Sequence, residues 1–357
     1  MTKLQAVNGT EAERVKRDAL GIADRRKHHT RKATPLRSHT KEADTHHRVY
    51  RFRFYPTIEQ AEQLGRTFGA CRWVYNEGLA LRSDAWEQHR VKVGFAESCR
   101  ALTGWKRVED TAWLKDVSST VLQQALRHVD QAFTRFLNGQ TRCPERKKKG
   151  RSRESAIYVR TGFKWVEDPA LPGTGLITLA KQSEPLRIRW SRALPAGVVP
   201  IRLSVTRDKA GRYFVAALVE ERIAPLAAAF LPDTQEPKAV GLDLGLASLV
   251  TLDDGTKLDH PRLLKRYAEK LARLQRELHN KVRGSNNRNK VRQRIARLYT
   301  LISDMRKDML DQFTTRLVRE PSARHGGRVR RTARLNETIV DAEWGELLRQ
   351  LHCKCAW

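Results

Sequence analysis

A single carboxylate set in an apolar run restricts this chain more than any other feature. The stretch Lys238-Ala-Val-Gly-Leu-Asp243-Leu-Gly245-Leu-Ala-Ser-Leu-Val-Thr-Leu-Asp253-Asp254-Gly255-Thr-Lys-Leu reads as a short strand, a glycine-relaxed turn after the acid, and a hairpin closed by Asp254-Gly255. An acid inside a packed strand is costly unless a cation or a hydrogen-bond donor meets it. Asp243 therefore reads either as a ligand for a divalent metal or as a turn-forming aspartate at a strand end. Spacing alone leaves both open.

Charge supplies the next restriction. The 357 residues carry 69 Lys and Arg against 40 Asp and Glu, a formal charge of +29, which disfavours compaction unless a polyanion neutralises it. Nucleic acid is the economical partner. A membrane surface is the rival, but the sequence has no apolar run of about 18 residues and no insertion helix beside its basic segments. With 40% hydrophobic residues, the length suits about two domains with real cores. Five cysteines, Cys71, Cys99, Cys143, Cys353 and Cys355, are scattered without a CxxC pair, which gives neither a disulfide framework nor a zinc site. The N-terminus shows no apolar signal segment. The expected location is a reducing cytoplasm, in association with the nucleoid.

Residues 1–47, with clusters such as Arg25-Arg26-Lys27-His28-His29, read as a flexible basic arm. Val49 to Tyr55 then alternates, so a strand sends Tyr50, Phe52 and Phe54 to one face and Arg51 and Arg53 to another that can meet phosphate. Thr57 and Gln60 form a capping box that opens a helix. Apolar residues follow at helical spacing, Leu64, Phe68, Cys71 and Tyr75, then Leu122, Leu126, Val129, Phe133 and Phe136, which predicts a helical lobe over 56–154. Its end carries Arg146-Lys147-Lys148-Lys149-Gly150-Arg151, either a solvated face or a phosphate contact.

From 155 to 222 short β-rich runs, the last two joined at Asp208-Lys-Ala-Gly211, predict a small antiparallel barrel or sandwich. The strand at 48–55 completes it, so the helical lobe is an insertion. Pro225, Pro232 and Pro237 mark a linker over 223–237. Beyond Asp243, Leu264, Tyr267, Leu271, Leu274 and Leu278, then Val291, Ile295, Leu298, Ile302, Met305 and Met309, predict a helical hairpin over 261–319. It is zipped along a heptad seam and broken at Gly284-Ser-Asn-Asn287. Arg288, Lys290 and Arg292 lie on its outer face as a candidate groove wall.

Taken in this order, the residues resemble the OrfB/TnpB family of transposon-encoded proteins, related to the single-effector type V CRISPR nucleases. The resemblance runs from about His47 to the last residue. It rests on Tyr50-Arg-Phe-Arg-Phe-Tyr-Pro-Thr, Gly69-Ala-Cys-Arg-Trp-Val-Tyr-Asn76-Glu-Gly-Leu, Val240-Gly-Leu-Asp243-Leu-Gly245, Arg306-Lys307-Asp308 and Asp341-Ala-Glu-Trp344-Gly-Glu-Leu. It implies an α+β multidomain chain: a wedge-type β-barrel with an inserted helical recognition lobe, then a RuvC-like nuclease domain of the RNase H fold over 238–357. Family members bind an RNA transcribed from the transposon end and use it to find and cut DNA. By position, Asp243 looks like the first catalytic carboxylate and an ancestral Mg²⁺ ligand.

Two-metal cleavage needs carboxylates from several strands converging on ions about 3.5–4 Å apart. By the same resemblance a second acid, a Glu, ends a strand after the helical hairpin, and a third, an Asp, follows a zinc ribbon. Here Leu317-Val318-Arg319-Glu320 leads into Pro321-Ser-Ala-Arg-His-Gly-Gly327, with no apolar run able to form that strand. Glu320, beside Pro321, is a poor substitute. A last amphipathic pattern, Leu335, Ile339, Trp344, Leu347, Leu348 and Leu351, runs towards Trp357, and the ribbon and final acid are missing.

The expectation is an incomplete, poorly stable RuvC half whose Asp243 strand is a sheet edge. It would sit in a DNA- and RNA-binding protein that holds no metal and does not cut. The alternatives are a nuclease-dead RNA-guided repressor, an inert remnant of a decaying element, and a nuclease completed by a second polypeptide.

Overall fold

The structure, a computed structural model, describes residues 45–222, 241–245, 248–319 and 344–355. The basic arm up to residue 44, the linker 223–237, Glu320 and Asp341 lie outside them. The chain divides into two compact units, one reaching to Asp208 and including Arg212–Glu221, the other formed by Lys209–Gly211 and the chain from Arg222 onward.

The first unit is built on a five-stranded sheet of order β2-β6-β7-β1-β5, from β1 (Thr45–Phe54), β2 (Glu154–Val159), β5 (Ile188–Arg189), β6 (Arg202–Arg207) and β7 (Tyr213–Arg222). β2 pairs antiparallel with β6, β6 with β7 and β1 with β5. The first strand does complete the sheet, and it starts earlier than the sequence suggests. Among the described residues, hydrogen bonding ends at β2 and β5. A separate antiparallel ladder joins β3 (Phe163–Glu167) to β4 (Gly175–Leu179).

Alternation in β1 does what its composition dictates. Tyr50, Phe52 and Phe54 are buried while Arg51 and Arg53 are exposed, because successive side chains point to opposite faces. Between β1 and β2 run three helices, α1 (Ile58–His89), α2 (Phe95–Trp105) and α3 (Ser119–Leu137), with a 3₁₀ segment at Glu109–Asp116. Thr57 caps α1 as expected: its hydroxyl accepts from the Gln60 N–H, and the Gln60 side chain accepts from the Thr57 N–H.

Leu64, Phe68 and Cys71 of α1 and Leu122 and Leu126 of α3 join the inner face of the sheet in one continuous core with Phe52, Tyr158 and Leu203. Phe136, expected on the same seam, is 38% exposed, since it lies in the last turn of α3, past the end of the packed face. Gly78 lets α1 and α3 approach closely: a Cβ there would stand 2.6 Å from Leu126 Cδ2.

In the second unit β8 (Leu242–Asp243) pairs antiparallel with β9 (Ser248–Leu252), and β9 with β10 (Lys257–Asp259), so the expected hairpin at Asp254-Gly255 forms. Two helices follow, α4 (Leu263–His279) and α5 (Asn286–Arg319). Their seam is shorter than a full-length zipper, because α4 has 17 residues and α5 has 34. Leu263, Leu274, Leu298 and Ile302 pack as one cluster. Further along α5, Leu310 and Phe313 turn instead to Leu249, Val250 and Leu252 of the sheet and to Leu347 of α6 (Trp344–Cys355).

A polar network fixes α6 on α5. Lys354 Nζ donates to Thr314 Oγ1 at 2.9 Å and Thr315 Oγ1 at 2.6 Å and pairs with Asp311 at 2.8 Å, while Thr314 donates to Gln350. The hydrogen bond from Arg349 holds the Glu346 carboxyl down at about 2.

Candidate nucleic-acid interface

Three cationic surfaces emerge, and each is organised differently. The loop after α3 is anchored to α1 by Asn76, with a longer ion pair from Arg146 to Glu77 at 3.9 Å. Asn76 donates from Nδ2 to the Lys147 carbonyl at 3.0 Å and accepts the Lys147 N–H on Oδ1 at 2.7 Å, a two-bond clamp of the kind strands exchange. A tight turn follows, with the Arg151 and Ser152 N–H groups donating to the Lys148 carbonyl, Ser152 Oγ accepting the Lys148 N–H, and Gly150 in the left-handed region.

Arg146, Lys148, Lys149 and Arg151 are exposed on this frame. Lys147 is not. Its ammonium lies 3.9 Å from the centre of the Tyr75 ring, a cation–π arrangement, and burial pulls its pKa below the ordinary lysine value. The run of like residues thus separates into four that face solvent and one that faces inward. Asn76 lies in the Gly69–Leu79 motif, and nothing in its local sequence marks it as the loop's anchor.

On the sheet, Arg51 stacks over Phe214 at 3.8 Å, with Arg212 at 5.3 Å from the same ring. Arg53 lies over Tyr55 at 4.9 Å and stands directly opposite Arg189 on β5. Like charges opposed across two strands destabilise the pair. A phosphate between them removes that penalty. Arg189 and Arg212 become visible only once the strands are paired.

On the helical hairpin the expected residues part company. Arg288 Nη1 donates to the carbonyls of Leu278 at 2.6 Å and Lys281 at 2.8 Å, so this side chain satisfies acceptors at the end of α4. Lys290 and Arg292 are exposed. Nearby, Lys270, Arg273, Arg294 and Arg297 border a groove of about 350 Å³ floored by Leu274, Leu298 and Leu301, and Glu277 pairs with Arg294 at 2.9 Å.

Asp243 is exposed on β8, opposite Thr251. Of the acids near the hairpin, Asp253 accepts the Gly241 N–H and Asp254 accepts the Thr256 N–H. Among the described residues no three His, Cys, Asp or Glu side chains gather to hold a metal. Cys71, Cys99, Cys143 and Cys353 are free thiols. No helix among the described residues is long and apolar enough to cross a membrane.

The geometry is that of a mixed α/β protein with antiparallel sheets and several cationic surfaces. Sequence comparison agrees. Residues 213–327 match the OrfB family of IS605-type elements, described as "Probable transposase", and residues 46–90 match its companion "Helix-turn-helix domain". A Streptomyces pristinaespiralis protein described as "Putative RNA-guided DNA endonuclease" is 43% identical over 318 residues, 87% of this chain and 75% of that protein. An Escherichia coli K12 protein, InsQ, with the same description, is 29% identical over 87% of this chain and 78% of its own length. A solved Cas12f1–sgRNA–target DNA complex aligns over 87% of this chain and 82% of the matched chain at 11% identity, with a TM-score of 0.30, too loose a superposition to argue from.

The chain belongs to the OrfB family of transposon-encoded transposases. Within residues 46–90 the backbone is one strand and one unbroken helix of 32 residues, so helix-turn-helix names a sequence relationship and not this local geometry.

Proposed function

We propose that this chain is an RNA- and DNA-binding protein of a mobile element that holds nucleic acid on its cationic surfaces and does not itself cleave DNA. The loop at 142–153 carries the reading. A segment rich in like charges is bonded to a helix by Asn76 and still turns Arg146, Lys148, Lys149 and Arg151 outward. Holding such charges close together costs stability, and a polyanion relieves the cost. Relatives described as RNA-guided DNA endonucleases support RNA and DNA as the polyanions.

In this reading the five-stranded sheet is a wedge with an inserted helical lobe, and the second unit is a RuvC-like half. The lack of cleavage follows from chemistry. Two-metal hydrolysis needs several converging carboxylates, and Asp243 brings one to an exposed two-residue strand.

The test is to isolate the full chain from its host, sequence the RNA that accompanies it, and incubate the complex with a DNA library and Mg²⁺. Bound RNA with intact DNA is expected. DNA cleavage that Asp243→Ala abolishes would overturn the inactive half of the proposal, and a chain that binds neither polymer would overturn all of it.

A further inference from the structure

Beneath the anchored loop lies a small cleft that the phosphate-contact reading of the exposed lysines does not explain. It opens between α1 and the loop, floored by Phe68 and Cys71 and lined by Arg72, Lys147, Ser152 and Arg153, with a cavity of about 20 Å³. That is room for about one water-sized group.

Three cationic residues therefore line a space that admits a single oxygen. The carboxylate that also lines it, Glu154, is engaged by Arg207 at 2.5 Å. Among the described residues no carboxylate stands within ion-pair distance of the Lys147 ammonium. Its neighbour is the Tyr75 ring, and the Cys71 thiol beneath is kept neutral by burial, its pKa pushed up to about 12. A half-buried cation without an anion is costly, and Arg72 and Arg153 line the same cleft. Ser152 Oγ accepts the Lys148 N–H, which leaves its own proton to donate.

We infer that this cleft is a socket for one phosphate group of a bound nucleic acid, with a non-bridging oxygen on the Lys147 ammonium and the rest of the group held by Arg72, Arg153 and the Ser152 hydroxyl. The inference rests on the nucleic-acid reading and deepens it. The exposed residues of the loop meet a polyanion of any register, whereas the socket takes one phosphate at one place. Asn76 is then a positioning residue: it touches no ligand and sets the height of Lys147 over Tyr75.

The test uses the full chain and a 20-nucleotide single-stranded RNA, with and without a 5′-phosphate, titrated at several salt concentrations. Lys147→Met keeps the packing over Tyr75 and removes the charge; Arg72→Gln alters the mouth and serves if the first variant does not fold. Each is expected to weaken binding about tenfold and to reduce the log–log salt slope by about 0.7, the share of one phosphate on a single strand. Because both act on the same phosphate, the double variant is expected to reduce the slope by that share and not by twice as much.

Loss confined to the 5′-phosphorylated RNA supports the socket with a terminal phosphate; loss on both RNAs supports it with an internal one. Unchanged affinity and slope in both variants, while the parent chain binds with a steep salt dependence, would overturn the socket and leave the broader reading standing. A parent chain that binds without salt dependence would instead overturn the broader reading.

Discussion

The two units arrange their cations on different foundations. In the first, cations lie over aromatic rings, Arg51 over Phe214, Arg127 over Phe95 and Lys147 over Tyr75, and one large cluster joins sheet and helices beside a small one at Tyr75, Leu79 and Val129. In the second, the groove cations stand over leucines on a two-helix hairpin, and the apolar residues divide into two small clusters. A cation already oriented loses less rotamer freedom when it binds. On the proposed nucleic-acid reading, the first unit offers placed contacts and the second a diffuse field.

The comparison is most exposed to a deletion in the thinner core. Phe313→Ala empties space between α5, the β8–β10 sheet and α6, and is expected to cost about 3–5 kcal/mol. Calorimetry should show one transition moving down while a second, belonging to the first unit, stays in place. A single transition that shifts as a whole would erase the distinction between the units.

Arg288→Ala comes next in size. It frees the carbonyls of Leu278 and Lys281, at an expected cost of about 1–2 kcal/mol, and hydrogen exchange should quicken at the end of α4. Lys290→Ala and Arg292→Ala should leave stability within about 0.5 kcal/mol and weaken binding instead. Equal effects of all three on stability would mean that Arg288 does not cap the helix.

A smaller loss is expected in the first unit from Thr57→Ala, which removes one half of the capping box and should cost about 1 kcal/mol by denaturant titration. The smallest effect is a pH dependence. Burial first, then the charges of Lys147 and Arg202, lower the pKa of His128 below the ordinary histidine value. As pH falls below about 6.5 the unfolded chain takes up a proton that the folded chain resists. Stability is thus full above that pH and declines beneath it, by at most about 1.4 kcal/mol per pH unit. His128→Gln should flatten this decline, and an unchanged profile would place its source elsewhere.

Much of the fold was legible because its local signals agree. The alternation in β1, the Thr57–Gln60 box, the hairpin turns at Asp208–Gly211 and Asp254–Gly255, and the 3.6-residue pattern of α1 and α3 each specify structure within a few residues. What was not legible depends on partners distant in sequence. Nothing near Lys147 says that Asn76, 71 positions earlier, will pull it inward. The position of Arg288 in a basic run gives no hint that its guanidinium ends on two carbonyls. Arg53 and Arg189 become a pair only through the β1–β5 register.

The central claim is that this cationic scaffold is built to hold a polyanion, and a salt titration of duplex DNA binding by the full chain tests it most directly. A straight log–log plot is predicted, with a slope of about −0.9 for each phosphate neutralised and several phosphates in all. A flat plot would contradict the account.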